Sequence, residues 1–264
     1  MVITGSQGMR FGCFGENKSI LKCLRCDLVQ LFPQWSSEAL EKIYKNYGRK
    51  IDFKGHKPKA RISKYLLKLI SQEDRILEVG CGNADMVGYL SEKGYDVTGI
   101  DKDDSGIDSN TDLNIVIGDV LKYFPKEKFD VVYGIHFLEH VPNPKEFMWW
   151  VVNAVKKYGK FIFEIPCVED PLIRVYKIKA FENFYWYPYH LFFYSKKTAE
   201  NLFCGLKVTV KRKQTYGIVN HLRWIFLRRP GNFNPHIPII DDIYKFLLVK
   251  MGVSDTLLIA GKNV

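Results

Sequence analysis

The sequence predicts an α/β fold, a mostly parallel seven-stranded sheet with helices on both faces. Two observations carry that expectation. Apolar runs near residues 76–79, 95–101, 114–117, 129–135 and 160–165 alternate with helical or turn patterns. Such alternation specifies strands joined by crossovers and covered on both faces. The second observation is the stretch Ile76-Leu77-Glu78-Val79-Gly80-Cys81-Gly82-Asn83-Ala84-Asp85, which reads as strand, glycine turn and helix start. Glycine at 80 and 82 lets the chain turn sharply and lets a ligand approach where a Cβ would obstruct it.

The elements follow in order. Residues 1–58 read as an N-terminal appendage and residues 59–264 as one ligand-binding domain. In the appendage, Cys23 and Cys26 form a C-x-x-C pair, half of a tetrahedral zinc site, and only Cys13 is available upstream. Closed structural zinc sites use four protein ligands, so no metal is expected there. Ser36 caps a helix running to about Tyr47, where Tyr44 and Tyr47 fit a core role or a lid. A second helix spans about 59–71. Helices at about 84–93, 144–157 and 196–203 alternate with strands, and the last two strands fall at 206–211 and 256–261. An insertion at about 215–253 precedes the closing strand and carries helical patterns at 219–227 and 239–251.

The turn does not suit a pyrophosphate. A dinucleotide fingerprint places a third glycine where this chain has Asp85. With Glu78 at the strand end, the acids favour a cationic or amino-acid-bearing ligand. Asp101 ends the second strand about 20 residues later, the spacing at which a carboxylate reaches a ribose diol. The third strand ends in Gly118-Asp119-Val120, and the fourth runs into His136-Phe137-Leu138-Glu139-His140-Val141-Pro142.

These strand ends, in this order, resemble class I S-adenosylmethionine (SAM) dependent methyltransferases over roughly residues 60–210. The resemblance implies a Rossmann-like class I fold with SAM as cofactor and S-adenosylhomocysteine as product. It implies that Gly80, Cys81 and Gly82, with Glu78, line the methionine part. Asp101 would hold the ribose hydroxyls with Lys102 beside the adenine. Asp119 and the Val120 N–H would meet the adenine, and Ile135 would pass under the methionine moiety. The appendage is similar to the cysteine ribbon of sugar-modifying methyltransferases, here degenerate.

Two clusters are candidates for chemistry. His136, Glu139 and His140 share a face if the strand gives way to a helical turn. Either imidazole suits a general base. The three could also hold a divalent metal, though none is predicted, and Glu139 with His140 suits a structural role in capping the turn before Pro142. Similar Glu-His pairs occur in ubiquinone-pathway O-methyltransferases. The second cluster is the aromatic run 184–195. Its His190…Tyr194-Ser195 spacing resembles the acceptor segment of sugar methyltransferases, with aromatic walls for stacking. A hydrophobic lid around a core histidine is the competing reading. Glu164 and Asp170 flank the same edge as candidates to orient hydroxyls, and His221, Arg223 and Trp224 as candidates to complete the pocket.

Composition bounds the partners. The formal charge is +10, spread along the chain without a nucleic-acid-binding signature. No Asn/Asp-Pro-Pro-Tyr/Phe motif follows the fourth strand. Nucleic acid is therefore not expected. A small-molecule, nucleotide-sugar or glycan acceptor is, in glycan or nucleotide-sugar biosynthesis. No run approaches the roughly 20 apolar residues of a membrane span, and the N-terminus lacks a signal-peptide layout. The chain reads as cytoplasmic. Trp224-Ile225-Phe226-Leu227 followed by two arginines suits a peripheral membrane or homodimer contact. The favoured reaction is O-methylation with His190 or His136 as base. The alternatives are a quinone-pathway O-methyltransferase and a non-catalytic scaffold.

Overall fold

A computed structural model describes residues 3–10, 17–47, 66–107, 112–186, 189–229 and 235–264. The chain divides into two compact units. One comprises residues 1–34, 164–201 and 210–258, the other 35–163, 202–209 and 259–264.

The second unit holds the glycine turn. Strand β4 (Arg75–Val79) pairs in parallel with β5 (Asp96–Asp101) and β7 (Phe129–Ile135), and β5 pairs in parallel with β6 (Ile115–Ile117). Ile76, Leu77, Val79, Val131 and Val132 are buried, as expected for strands covered on both faces. Helix α2 (Asp85–Glu92) follows the turn and buries Met86, Val87 and Leu90, spaced for one helical face. Helix α3 (Pro144–Ala154) starts at an Asn143 cap, whose side chain accepts from the Glu146 N–H, with proline at the first turn.

The full sheet has seven strands in the order β10-β11-β8-β7-β4-β5-β6, completed by β8 (Val155–Pro166), β10 (Lys207–Lys213) and β11 (Thr256–Lys262). Strand β11 runs opposite to β8. The Asp255 carbonyl accepts from the Cys167 N–H just beyond the end of β8, while the Asn263 N–H reaches the Gly159 carbonyl near its start. The expected α/β class and seven strands are therefore present.

The helix expected over 144–157 stops at Ala154, and β8 begins at Val155. The Asn263 side-chain amide donates to the Val152 and Val155 carbonyls, and the Asn263 carbonyl accepts from the Tyr158 N–H. A residue more than a hundred positions away thus satisfies carbonyls that would otherwise continue a helix.

The first unit contains a four-stranded sheet of order β1-β2-β3-β9 that the sequence reading did not foresee. Strands β1 (Ile3–Arg10), β2 (Asn17–Cys23) and β3 (Val29–Phe32) form an antiparallel meander. Strand β9 (Phe192–Phe193) closes it by pairing antiparallel with β3. Helix α1 (Ser37–Tyr47) follows in the second unit, and further along the chain come the short helices α4 (Pro171–Arg174), α5 (Lys179–Tyr185) and α6 (Lys196–Leu202). The side chains of Tyr44 and Tyr47, the residue Cys13 and most of the helix expected over 59–71 lie outside the described residues.

Close packing beneath the turn generates a test. A Cβ at Gly99 would lie 2.9 Å from both Cys81 Sγ and Val87 Cγ2. Gly99→Ala should cost about 1–3 kcal/mol in urea unfolding. An unchanged midpoint would show that this packing yields more readily than the geometry implies.

Candidate functional site

The turn after β4 is built from left-handed residues. Gly80, Gly82 and Ala84 have φ of 70°, 55° and 60°. The Gly80 N–H donates to the Ile100 carbonyl at 2.8 Å, tying the turn to the end of β5. A Cβ on Gly80 would overlap the Phe137 ring, whereas one on Gly82 would meet open space. Gly80 is thus required by both conformation and packing. Gly82 leaves its surface free for a ligand.

Carboxylates gather around this turn. Asp101 accepts from the Gly82 N–H at 2.8 Å through one oxygen and from the Asp103 N–H at 3.0 Å through the other. A carboxylate has about four lone-pair directions, so both oxygens can still accept from a diol. Asp119 caps the turn at 120–122, accepting from the Leu121 N–H, and pairs with Lys102 at 2.9 Å. The two residues assigned by resemblance to the adenine end therefore stand together. Val120 is buried and Asp85 opens α2. Cys81 presents only its backbone to the turn, because its thiol is buried toward Gly99.

Glu78 is buried and accepts from the Tyr133 hydroxyl at 2.8 Å. Burial pushes its carboxyl up to about 8, the Tyr133 hydrogen bond opposes this, and the Asp101 and Asp85 carboxylates push it further. Bringing a positive charge to this place would favour the ionised form.

At the end of β7, Ile135 leads into His136, which holds φ at 51°. A non-glycine residue there costs on the order of 1–3 kcal/mol and persists only where its surroundings enforce it. A 3₁₀ turn at Leu138–His140 follows. It brings His136 Nδ1 to 3.4 Å and His140 Nε2 to 3.8 Å from Glu139 Oε1. The grouping anticipated from the i, i+3 and i+4 spacing is present. Glu139 is buried and the His136 side chain is half-exposed.

His190 and Tyr194 belong to the first unit. The His190 ring packs edge-on against Tyr189 and Phe193, with centroids 5.3 and 6.0 Å away. Trp186 and Tyr185 also contact Phe193, so the anticipated aromatic cluster forms around that ring. Tyr187 and Pro188 lie outside the described residues. Tyr194 is buried, and its carbonyl accepts from the Val168 N–H.

Other candidates are engaged in structure. Glu164 accepts from Lys213 at 2.8 Å, and Asp170 caps the turn at Pro171–Arg174 through the Leu172 N–H. Burial, then repulsion from Asp255, pushes the Asp170 carboxyl up to about 8. Trp224 is buried against Phe181 and Phe184. His221 is buried between Gln214 and Tyr244, and burial pulls its imidazole down to about 4. Sequence reasoning missed Asp255, whose carboxylate accepts from the Thr215 and Tyr216 N–H groups and the Gln214 amide. Its signal was an acid flanked by Ser254 and Thr256 immediately before an apolar strand. Cys23 and Cys26 are free thiols in a hairpin turn closed by the Cys23 N–H to Leu28 carbonyl bond.

A methyltransferase-domain family model matches residues 47–206, and the chain belongs to that family. Among curated relatives, the ubiquinone biosynthesis O-methyltransferase of Rickettsia bellii is 33% identical over 92 residues, covering 32% of this chain and 38% of that protein. The Coxiella burnetii protein of the same name is 29% identical over 121 residues, covering 40% and 52%. The chain thus spans about two-fifths to half the length of these relatives. Among solved structures, a SAM-dependent methyltransferase from Archaeoglobus fulgidus matches at TM-score 0.52 and 18% identity, covering 77% of this chain and 91% of that one. The plantazolicin methyltransferase BpumL, solved in complex with a triazolic desmethylPZN analog and SAH, matches at TM-score 0.52 and 15% identity, covering 86% and 91%. The fold is that of the class I SAM-dependent methyltransferases.

The residues at the turn fit the cofactor of that class. The open face of Gly82 and the acids at 78, 85, 101 and 119 suit a ligand carrying a sulfonium, an amine and a ribose diol. They do not suit a pyrophosphate.

The Glu78 environment sets a pH dependence. Its folded pKa, about 8, lies above the ordinary 4.5, so its contribution to stability is complete below about 4.5 and is lost as pH rises through about 8. Glu78→Gln should therefore gain stability relative to the parent by at least about 1 kcal/mol between about pH 5 and about pH 9, measured by urea unfolding without ligand. A difference that stays constant across that range would contradict the buried, raised carboxyl.

Proposed function

We propose that the protein is a SAM-dependent O-methyltransferase acting on a small or saccharide-linked hydroxyl acceptor. The observation carrying the methyltransferase reading is the left-handed glycine turn ringed by carboxylates at the end of β4. SAM would supply an electrophilic methyl group on sulfur. The Gly80–Gly82 backbone, with Glu78 beneath it, would hold the methionine part, and Ile135 would pass beside it. Asp101 would accept from the ribose hydroxyls. Lys102, Asp119 and Val120 would bound the adenine end.

The protein's own task is alignment and removal of one proton. His136 is the first candidate base. With Nδ1 facing the buried Glu139 carboxylate, Nε2 would be the ring nitrogen that accepts the hydroxyl proton, and Glu139 would stabilise the imidazolium formed. His140 would share that carboxylate as a positioning group. His190 is the second candidate, and the rings around Phe193 would form an acceptor wall, with Tyr194 as a further candidate. The basic balance of the chain favours an anionic acceptor such as a nucleotide sugar.

A quinone-pathway acceptor is the second reading, supported by the names of the curated relatives. Incubation with methyl-labelled SAM and panels of nucleotide sugars, glycans and catechol-type phenols separates the two. Label in the saccharide panel supports the first reading, and label only in the phenols supports the second. Label in neither panel, with SAM bound, would support a non-catalytic scaffold.

On the productive acceptor, His136→Ala should lower turnover by roughly a hundredfold while SAM affinity is retained. Unchanged turnover in His136→Ala but a similar fall in His190→Ala would move the base to His190. Full activity in both would remove histidine from the proton transfer.

A further inference from the structure

Helices α7 (Ile218–Leu227) and α8 (Ile240–Lys250) of the first unit have an inverted pattern. Ordinary surface helices bury their apolar stripe. In α8 the buried positions are Asp241, on the N-terminal turn, and Leu248, with Tyr244 half-buried between them. Ile239, Ile240, Ile243, Phe246, Leu247 and Met251 each expose more than half of their surface. Their spacing places them on one helical face. Phe226 and Leu222 of α7 are exposed as well.

Polar bonds lock this orientation. Asp241 accepts from the Ile218 N–H at 2.9 Å, the Ile237 N–H at 3.0 Å and His236 at 2.9 Å, joining the start of α7 to the start of α8. A Cβ on Gly217 would overlap the Asp241 carboxylate. The Tyr244 hydroxyl meets His221 Nδ1 at 2.5 Å and the Tyr176 hydroxyl at 2.8 Å. Turning α8 to bury its apolar face would break these bonds, at the cost of the partners they give to His221 and the Ile218 and Ile237 N–H groups.

The segment that carries the exposed face is basic. Residues 218–251 contain Arg223, Arg228, Arg229, Lys245 and Lys250 against Asp241 and Asp242. Asp241 is the buried lock just described. Lys250 lies 5.5 Å from the centre of the Phe246 ring, its stem along the apolar face and its charge at the edge. An apolar face on a basic segment complements an anionic lipid surface. A second copy of the chain fits less well, because a two-fold interface would bring the same basic segment against itself.

We propose that the exposed face of α7 and α8 docks the protein on anionic membrane surfaces, with Ile243, Leu247 and Phe226 entering the interface and the arginines and lysines meeting lipid headgroups. This goes beyond methyl transfer and does not depend on it.

The test is flotation of the full chain with phosphatidylcholine vesicles, with and without phosphatidylglycerol. The protein should float with the anionic vesicles and be released by salt. The double variant Ile243→Asp, Leu247→Asp should partition at least roughly tenfold less, while retaining its unfolding midpoint and SAM affinity. Should that variant fail to fold, Arg228→Glu with Arg229→Glu should show the loss in a folded protein. Three results would each overturn the proposal: a parent that stays with the soluble fraction at low salt, folded variants that float like the parent, or a parent dimer that the apolar substitutions dissolve without any vesicle binding.

Discussion

The constraint on which the site depends is the approach of Phe137 to Gly80. The ring occupies the space where any larger residue at 80 would place its Cβ. The Gly80 N–H is held by Ile100, so the ends of β4, β5 and β7 converge on one residue. Phe137 contacts Phe147 at 5.3 Å, and Phe147 contacts Phe163 of β8 at 5.6 Å. The position of the turn is therefore passed through tilted and edge-on rings into the core. Gly134 extends the same logic, since a Cβ there would lie 2.8 Å from Val79 Cγ2.

Electrostatics give this packing a function. Glu78 sits beneath the turn in a buried setting that disfavours its charge, while Asp101 braces the Gly82 N–H. An uncharged ligand would gain little from this arrangement, and an anion would be repelled. A ligand with a positive sulfur and an amine relieves the crowding of acids. The buried Glu139 lies at the end of β7 with an oxygen 3.4 Å from His136 Nδ1 and 3.8 Å from His140 Nε2.

Much of the second unit was legible in the sequence because its signals are local. Apolar runs ending in Gly80, Asp101 and Asp119 mark strand ends, and the His136–Glu139–His140 spacing brings three side chains to one face once the strand gives way to a turn. The first unit was less legible because its sheet joins β3 to β9, pairing Val29 with Phe193. No local pattern announces a partner so far along the chain. The early end of α3 failed for the same reason, since Asn263 determines it. Asp255 and Tyr244 were passed over because they act through backbone amides and other side chains that only the fold assembles. Helix α8 was recognised as a helix, but its apolar period was no guide to its orientation, which polar bonds decide.

The central claim is that the turn and its acids bind SAM, and calorimetric titration of SAM into the parent chain and Asp101→Ala tests it most directly. The parent should bind saturably, and the variant should lose at least roughly tenfold in affinity while remaining folded. No heat of binding from a folded parent, or equal affinity in Asp101→Ala, would contradict the account.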